Sequence, residues 1–437
     1  MLNNHVLYVA WGFPPSRAGG VYRALATANL LAESGYRVTV LTADEESWAK
    51  YTGSDYSLMP KIDPRIKVIR IPFVWLSLDS NLHAYNWFRI TFPRIWNKLK
   101  NRKLRRIFPE NNYGFWRESL ENAALKINEQ DPVGLTLVTS NPNVTATAAL
   151  ALHQESNVPF VVDHRDAWTL DVFDGTTLYD PNSTQGKWEQ KIFSKASAIW
   201  FVNEPIANWH SQKYPQFADK IEVVENGWDP MFINQNDLTH HLHKPLRFGY
   251  LGTISGKVPV KEFLESWNYA KSKYASMSSS EADIYGYLGY YGTHNPETRD
   301  LFEASTENNV TFKGSAQKAK VTEIYNEWDV CLLILGTGKY VTSGKVYEYL
   351  AVGKPIVSVH DPGNAASQVL RGYPMWFPAK SLSTEDIAEA LNKAAVAAIN
   401  QEPEVKNRCL EFSTKYRRDV VMRNAIEKLR FFGDSNE

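Results

Sequence analysis

The pattern that most restricts this chain is an alternation that runs twice. Short β-branched runs trade places with helical patterns, first as HVLYVAW, a loop, YRALATANLLAES, Gly35 and RVTVLTA. Such alternation requires right-handed crossovers, and these set the strands parallel. Further strands are predicted in IKVIRIPF, LTLVTSN, VPFVVDH, SAIWFVN and IEVVENG, so the first half closes near Asp229. Residues 234–245, NQNDLTHHLHKP, lack periodicity and read as a linker. The alternation restarts with LRFGYLGT, VKEFLESWNYAKSKY, DIYGYLGYY, VTFKGS, VTEIYNEWD, VCLLIL and PIVSV, and helical patterns follow to the end. The expected fold class is α/β, with two Rossmann-like doubly wound domains, and 437 residues suit two domains of about 200 each. The expected bounds are 1–230, 231–415 and a final helix over 416–437. Two such sheets facing each other leave a cleft, and ligands bind at the carboxyl ends of parallel strands.

Lys+Arg and Asp+Glu balance at 48 each, so net charge gives no reason to expect a nucleic acid partner. Charge is uneven locally. An insertion over about 80–117 contains LHAYNWFRITFPRIWNKLKNRKLRRIF, with Arg89, Arg94, Lys98, Lys100, Arg102, Lys103, Arg105 and Arg106 and no acid. Trp87, Phe88, Phe92, Trp96 and Phe108 are interleaved with them. A basic stretch with interfacial aromatics can lie on an anionic leaflet, here through residues about 85–108. The plain alternative is aromatics packed on the domain with solvated charges. The two cysteines, Cys331 and Cys409, read as buried thiols in a reducing cytosol. MLNNHVLYVAWGFPP has no basic n-region and reads as a first strand, and no run of about 18 apolar residues occurs, so the expected location is cytoplasmic, at most peripheral on the membrane.

At the strand ends, WGFPPSRAGGVYRA places Gly19 and Gly20 as open backbone before a helix, where a diphosphate can approach the amides. A bare strand-to-helix turn is the alternative. Neither a G-x-G-x-x-G nor a P-loop pattern is present. VPFVVDH runs into Asp163, His164, Arg165 and Asp166, a dense polar cluster. Alternation sets Asp163 and Arg165 on one side and His164 and Asp166 on the other if the strand persists, so one pair can be internal. FGYLGTISGK offers Gly252, Thr253, Ser255, Gly256 and Lys257 in a loop suited to phosphate. In TSGKVYEYLAVGKPIVSV, Ser343 caps a helix that Gly353 stops, and Glu348 lies about a turn from an anion-collecting helix start. Lys345 and Glu348 are spaced i,i+3, which an ordinary intrahelical salt bridge also explains.

Together the GFPP and Gly-Gly loop, VDHRDAW, ENGWDP, YLGTISGK and GKVYEYLAVGKPI resemble bacterial retaining glycosyltransferases of family 4, which have the two-domain GT-B fold. The resemblance implies a C-terminal helix crossing back to the first domain and a nucleotide-diphosphate sugar as donor, with no cofactor; no Asp-x-Asp pattern occurs, so no metal clamp is expected. It places Gly19 and Gly20 near the diphosphate, Glu348 on the ribose hydroxyls, and Lys257 as one of two cations on the diphosphate. Gly252, Thr253, Ser343, Gly344 and Lys345 complete the implied donor site. Asp163, His164, Arg165, Asp166 and Lys257 are the implied catalytic candidates. Thr253 stands where relatives carry Arg, and Tyr340 where their first motif glutamate touches the donor sugar. The implied reaction is retaining transfer to a glycan, lipid-linked or small-molecule acceptor. The alternatives are a non-catalytic sugar-nucleotide binder and an epimerase or phosphorylase of the same fold.

Overall fold

The computed structural model describes all residues except 1–3, 76–78, 80, 240, 256–257, 290–295, 317, 337, 401 and 430–437. Each β-branched run that can pair does so, and each stops where its chemistry stops it. The strands of the first half are β1 (His5–Val9), β2 (Arg37–Ala43), β3 (Lys67–Ile71), β4 (Leu135–Ser140), β5 (Phe160–His164), β6 (Ala198–Phe201) and β7 (Ile221–Val223). Strand β3 ends before Pro72, which has no N–H for the ladder. Among the described residues these strands form one parallel sheet in the order β3-β2-β1-β4-β5-β6-β7.

The second half repeats the scheme with β8 (Arg247–Leu251), β9 (Glu281–Tyr285), β10 (Val310–Gly314), β11 (Val330–Ile334), β12 (Ile356–Val359) and β13 (Trp376–Pro378). Their order is β10-β9-β8-β11-β12-β13, again all parallel. Two doubly wound α/β sheets are therefore present, as the alternation predicts. Strand β13 has no counterpart in that reading, because three residues next to a proline are too short to show a period of two.

The chain divides into two compact units: Met1–Asp171 with Thr176–Glu225 and Met422–Glu437, and Val172–Gly175 with Asn226–Val421. The last described helix, Arg418–Leu429, thus carries the chain back into the first unit, where Lys428 bonds Glu222 at 2.6 Å. The stretch read as a linker belongs to the second unit, with Leu238 buried. Both cysteines are buried, as are Trp48, Trp116, Trp200, Trp267 and Trp328. No described helix is long and apolar enough to cross a membrane.

The first unit's core also takes in two of the four polar residues at the end of β5. Asp163 does not pair with Arg165. Both its oxygens accept bonds from Arg23, at 2.7 Å each, and Arg23 also donates to the carbonyls of Val224 and Glu225. Both side chains of this pair are almost fully buried. His164 stacks on Phe201, whose other neighbour in the stack is His210. Neither His164 ring nitrogen has a partner among the described residues. Burial, reinforced by His210, pushes the His164 pKa down to about 4. Because the strand ends at His164, the conditional alternation beyond it does not apply.

The sign of the His164 effect follows from linkage. Between its unfolded value near 6.5 and about 4, the unfolded chain binds a proton that the folded chain refuses, so stability falls as pH drops through this window. The expected cost is at most about 3 kcal/mol. Urea unfolding of wild type and His164→Phe at pH 7 and pH 4.5 measures it. The wild type is expected to lose about 2 kcal/mol more than the variant, and equal losses would remove His164 as the cause.

Candidate functional site

In each sheet the strand order reverses once, between β1 and β4 and between β8 and β11. At such a reversal the flanking crossovers run to opposite faces and leave a crevice outside the carboxyl ends. In the second unit that crevice is a cavity of about 330 Å³. Its walls come from the loop after β8, with Gly252, Thr253 and Ser255, and from the stretch after β11, with Gly336 and Gly338. Ser343, Gly344, Lys345 and Glu348 complete it from the helix Gly344–Val352.

That helix forms where the sequence places its signals. The Ser343 hydroxyl accepts from the amide of Lys345, and Gly353 ends the helix in the left-handed region at φ 71°. Val346, Tyr347, Tyr349 and Leu350 are fully buried, which fixes the helix's rotation. The amide of Leu251 donates to the Tyr349 hydroxyl at 3.0 Å, tying the end of β8 to the helix. Glu348 is thereby held at the inner edge of the cavity.

Its carboxylate is a hub. Oε1 accepts from Lys318 Nζ at 2.7 Å, and Oε2 from the Tyr325 hydroxyl at 2.5 Å and Lys345 Nζ at 3.1 Å. The i,i+3 bridge to Lys345 therefore forms, with a second cation added from a different element. Burial alone would push the Glu348 pKa up, but the charges of Lys345 and Lys318 and the bonds from Lys318 and Tyr325 outweigh it and hold the carboxyl well below the usual range. Burial pushes Lys345 down, against the pull of Glu348. One carboxylate and two ammonium groups sum to one positive charge beside a helix N-terminus, an arrangement that attracts anions.

Lys318 and Tyr325 were not singled out in the sequence. The available signal was a lysine just beyond the carboxyl end of a predicted strand, in FKGSAQK. Another wall residue was also missed. Phe173, in the segment Val172–Gly175, lines the cavity with the second unit. Tyr340 anchors that segment: its amide donates to the carbonyl of Val172 at 3.3 Å, and its ring sits where a Cβ on Gly175 would be, 2.7 Å away. Gly175 has φ 81°, so glycine suits the backbone as well.

Of the expected donor residues, Gly252, Thr253, Ser343, Gly344, Lys345 and Glu348 are brought together, whereas Lys257 lies outside the described residues. Gly19 and Gly20 belong to the first unit's reversal point. Gly20 precedes the helix Val21–Glu33, and a Cβ there would lie 2.1 Å from Nη1 of Arg165. The open backbone thus accommodates a guanidinium of the same unit. Asp166 is half-buried and accepts from Asn141 Nδ2 at 2.6 Å. In the same unit, Glu110 accepts from the amides of Asn143 and Val144 at 2.8 Å each, and burial pushes its pKa up to about 7 against those donors. With Asp163 and His164 in the core, Arg165 and Asp166 are the members of the β5 cluster that retain exposure.

No family model matches this chain, and no curated protein matches it in sequence. Solved structures do match it in shape. A glycosyltransferase from Rickettsia africae ESF-5 superposes with a TM-score of 0.68 at 12% identity, over 99% of both chains. Anabaena HepE in complex with UDP gives 0.62 at 12% identity, over 98% of this chain and all of that one. A UDP-N-acetylglucosamine 2-epimerase gives 0.54 at 14% identity, over all of this chain and 98% of that one. What these likenesses establish is the fold: an α/β chain of two Rossmann-like halves, of the GT-B kind.

Proposed function

We propose that this chain is a glycosyltransferase that moves a sugar from a nucleotide-diphosphate donor of UDP or GDP type to a hydroxyl of a glycan, lipid-linked or small-molecule acceptor. The observation that carries the reading is the cationic hub around Glu348 in a cavity at the β8/β11 reversal. A carboxylate offers about four lone-pair directions, and three bonds from protein leave room for a ribose hydroxyl. Lys345 and the N-terminus of its helix face the charge that grows on the departing diphosphate, the kind of preorganised stabilisation that lowers a transition state. Phe173 is a wall against which a base or sugar ring can pack.

In this proposal the transfer is retaining and needs no protein-bound metal. The departing phosphate helps to deprotonate the acceptor on the same face of the sugar, as in the family 4 enzymes that the sequence resembles. Scattered acid-base residues suit that mechanism, because no dedicated protein base is needed. Arg165 and Asp166 remain the first unit's candidates for contact with substrate.

Tyr340 favours a second reading. The resemblance sets an acid on the donor sugar at that position, and here a tyrosine anchors residues 172–175 instead. A sugar-nucleotide binder without transfer activity accommodates this substitution. Donor hydrolysis or transfer to any acceptor excludes that reading, and recovery of an isomerised sugar nucleotide from a labelled donor would point to epimerisation.

Nucleotide binding is measured first, by thermal shift with UDP, GDP and their sugars, since a ligand that binds only the folded chain raises its midpoint. Glu348→Gln keeps the shape and removes the charge; it is expected to weaken nucleotide affinity by about ten- to a hundredfold, the value of one charge-assisted bond. Unchanged affinity in both Glu348→Gln and Glu348→Ala would remove Glu348 from the donor site. Phe173→Ala is expected to raise KM for the donor by about tenfold with kcat little changed, as loss of uniform binding does.

A further inference from the structure

We propose that the helices Trp87–Thr91 and Pro93–Ile107 form a docking surface for an anionic lipid bilayer. This inference stands on the two helices alone and does not depend on the donor site. None of the fifteen residues of Pro93–Ile107 is buried. Phe92, Ile95 and Leu99 follow at spacings of three and four, so they share one face. Ile95 is 52% exposed, Leu99 53% and the neighbouring Trp87 73%. An apolar row this exposed on an ordered element marks an interaction surface.

One buried cation holds the row in place. Arg89 pairs with Asp79 at 2.8 Å and lies over the rings of Tyr85 and Trp96, at 3.5 and 4.4 Å from their centroids. This clamp takes Arg89 and Trp96 out of the surface and fixes the corner between the helices. The other seven cations of the stretch all lie on Pro93–Ile107 with the apolar row, and no acid occurs from 81 to 109.

Charge selects the occupant. A second copy of the same surface would meet its own positive charge, which opposes a symmetric dimer. Single-stranded nucleic acid stacks on aromatic faces; Trp87 and Phe92 offer rings, but Ile90, Ile95 and Leu99, which extend the row, do not. Aliphatic and tryptophan side chains beside Lys and Arg suit the headgroup boundary of a negatively charged leaflet, where the apolar row enters and the cations meet lipid phosphates.

The test uses the full chain and co-sedimentation with vesicles of phosphatidylcholine alone or with about 30% phosphatidylglycerol. Wild type is expected to sediment with the anionic vesicles only. Ile95→Glu with Leu99→Glu is expected to abolish sedimentation. Each single reversal, Lys98→Glu or Arg102→Glu, is expected to lower partitioning by about fivefold or more, the value of one cation near such a surface. The UDP-induced thermal shift is expected to stay equal in all variants, which separates this surface from the nucleotide site. Wild type left in the supernatant, binding that survives Ile95→Glu with Leu99→Glu, or retention on single-stranded RNA in place of vesicles would each overturn the proposal.

Discussion

The reversal of strand order is the constraint on which the rest depends. A parallel sheet wound in both directions must have one place where neighbouring strands send their crossovers to opposite faces. Here β1 and β4 meet at one such place and β8 and β11 at the other. Both are followed by glycine-bearing loops, yet the two crevices are used differently. Beside β1 the Arg165 guanidinium sits against Gly20. Beside β8 a cavity of about 330 Å³ is left, and a Cβ on Gly252 would lie 2.6 Å from the Tyr250 hydroxyl that helps to wall it. The same topology therefore places a guanidinium against the glycine loop in one unit and a cavity beside it in the other.

In the open crevice, electrostatics turn space into selectivity. An isolated carboxylate so enclosed would take up a proton, because burial penalises its charge. Lys318 and Lys345 reverse that outcome, and each belongs to a different element, one after β10 and one on the helix after β11. The carboxylate in turn keeps two ammonium groups close together despite their repulsion. Removing one partner of such a set leaves the others under-compensated, which is why buried ionic clusters are fragile to single substitutions. The cluster is also complementary to a molecule carrying both phosphates and hydroxyls.

Legibility in the sequence followed locality. The alternation gave both sheets, because strand and helix periodicity is encoded in neighbouring residues. Ser343 and Gly353 gave the helix bearing Glu348 for the same reason: a cap needs only its own side chain or its own φ. What escaped was set by distance along the chain. Lys318 and Tyr325 reach Glu348 from 30 and 23 residues away, and Arg23 reaches Asp163 across 140. Alternation divides the DHRD cluster into Asp163 with Arg165 and His164 with Asp166, yet it splits instead into Asp163 and His164 in the core and Arg165 and Asp166 with exposure, because the strand ends at His164. Tyr340 was legible as a departure from the family pattern, but its role as anchor for residues 172–175 depends on Gly175, far upstream.

The basic insertion shows why an exposed helix can still be an ordered one. Fifteen residues with no buried side chain have little hydrophobic reason to stay helical, and isolated helices of this length are marginal in water. Local devices supply the order: Asn86 caps the first helix, Pro93 starts the second, and Arg89 is wedged between two rings and a carboxylate. Asn86 and Arg89 hold the first helix and Pro93 the turn into the second, the end that carries Trp87 and Phe92. The far end, with Lys103, Arg105 and Arg106, is held as well: Phe108 is buried and stacks on Trp168, and Arg117 donates to the carbonyl of Ile107 at 2.9 Å. A surface built in this way is anchored at both ends and presents its apolar row and its cations on the helix between them.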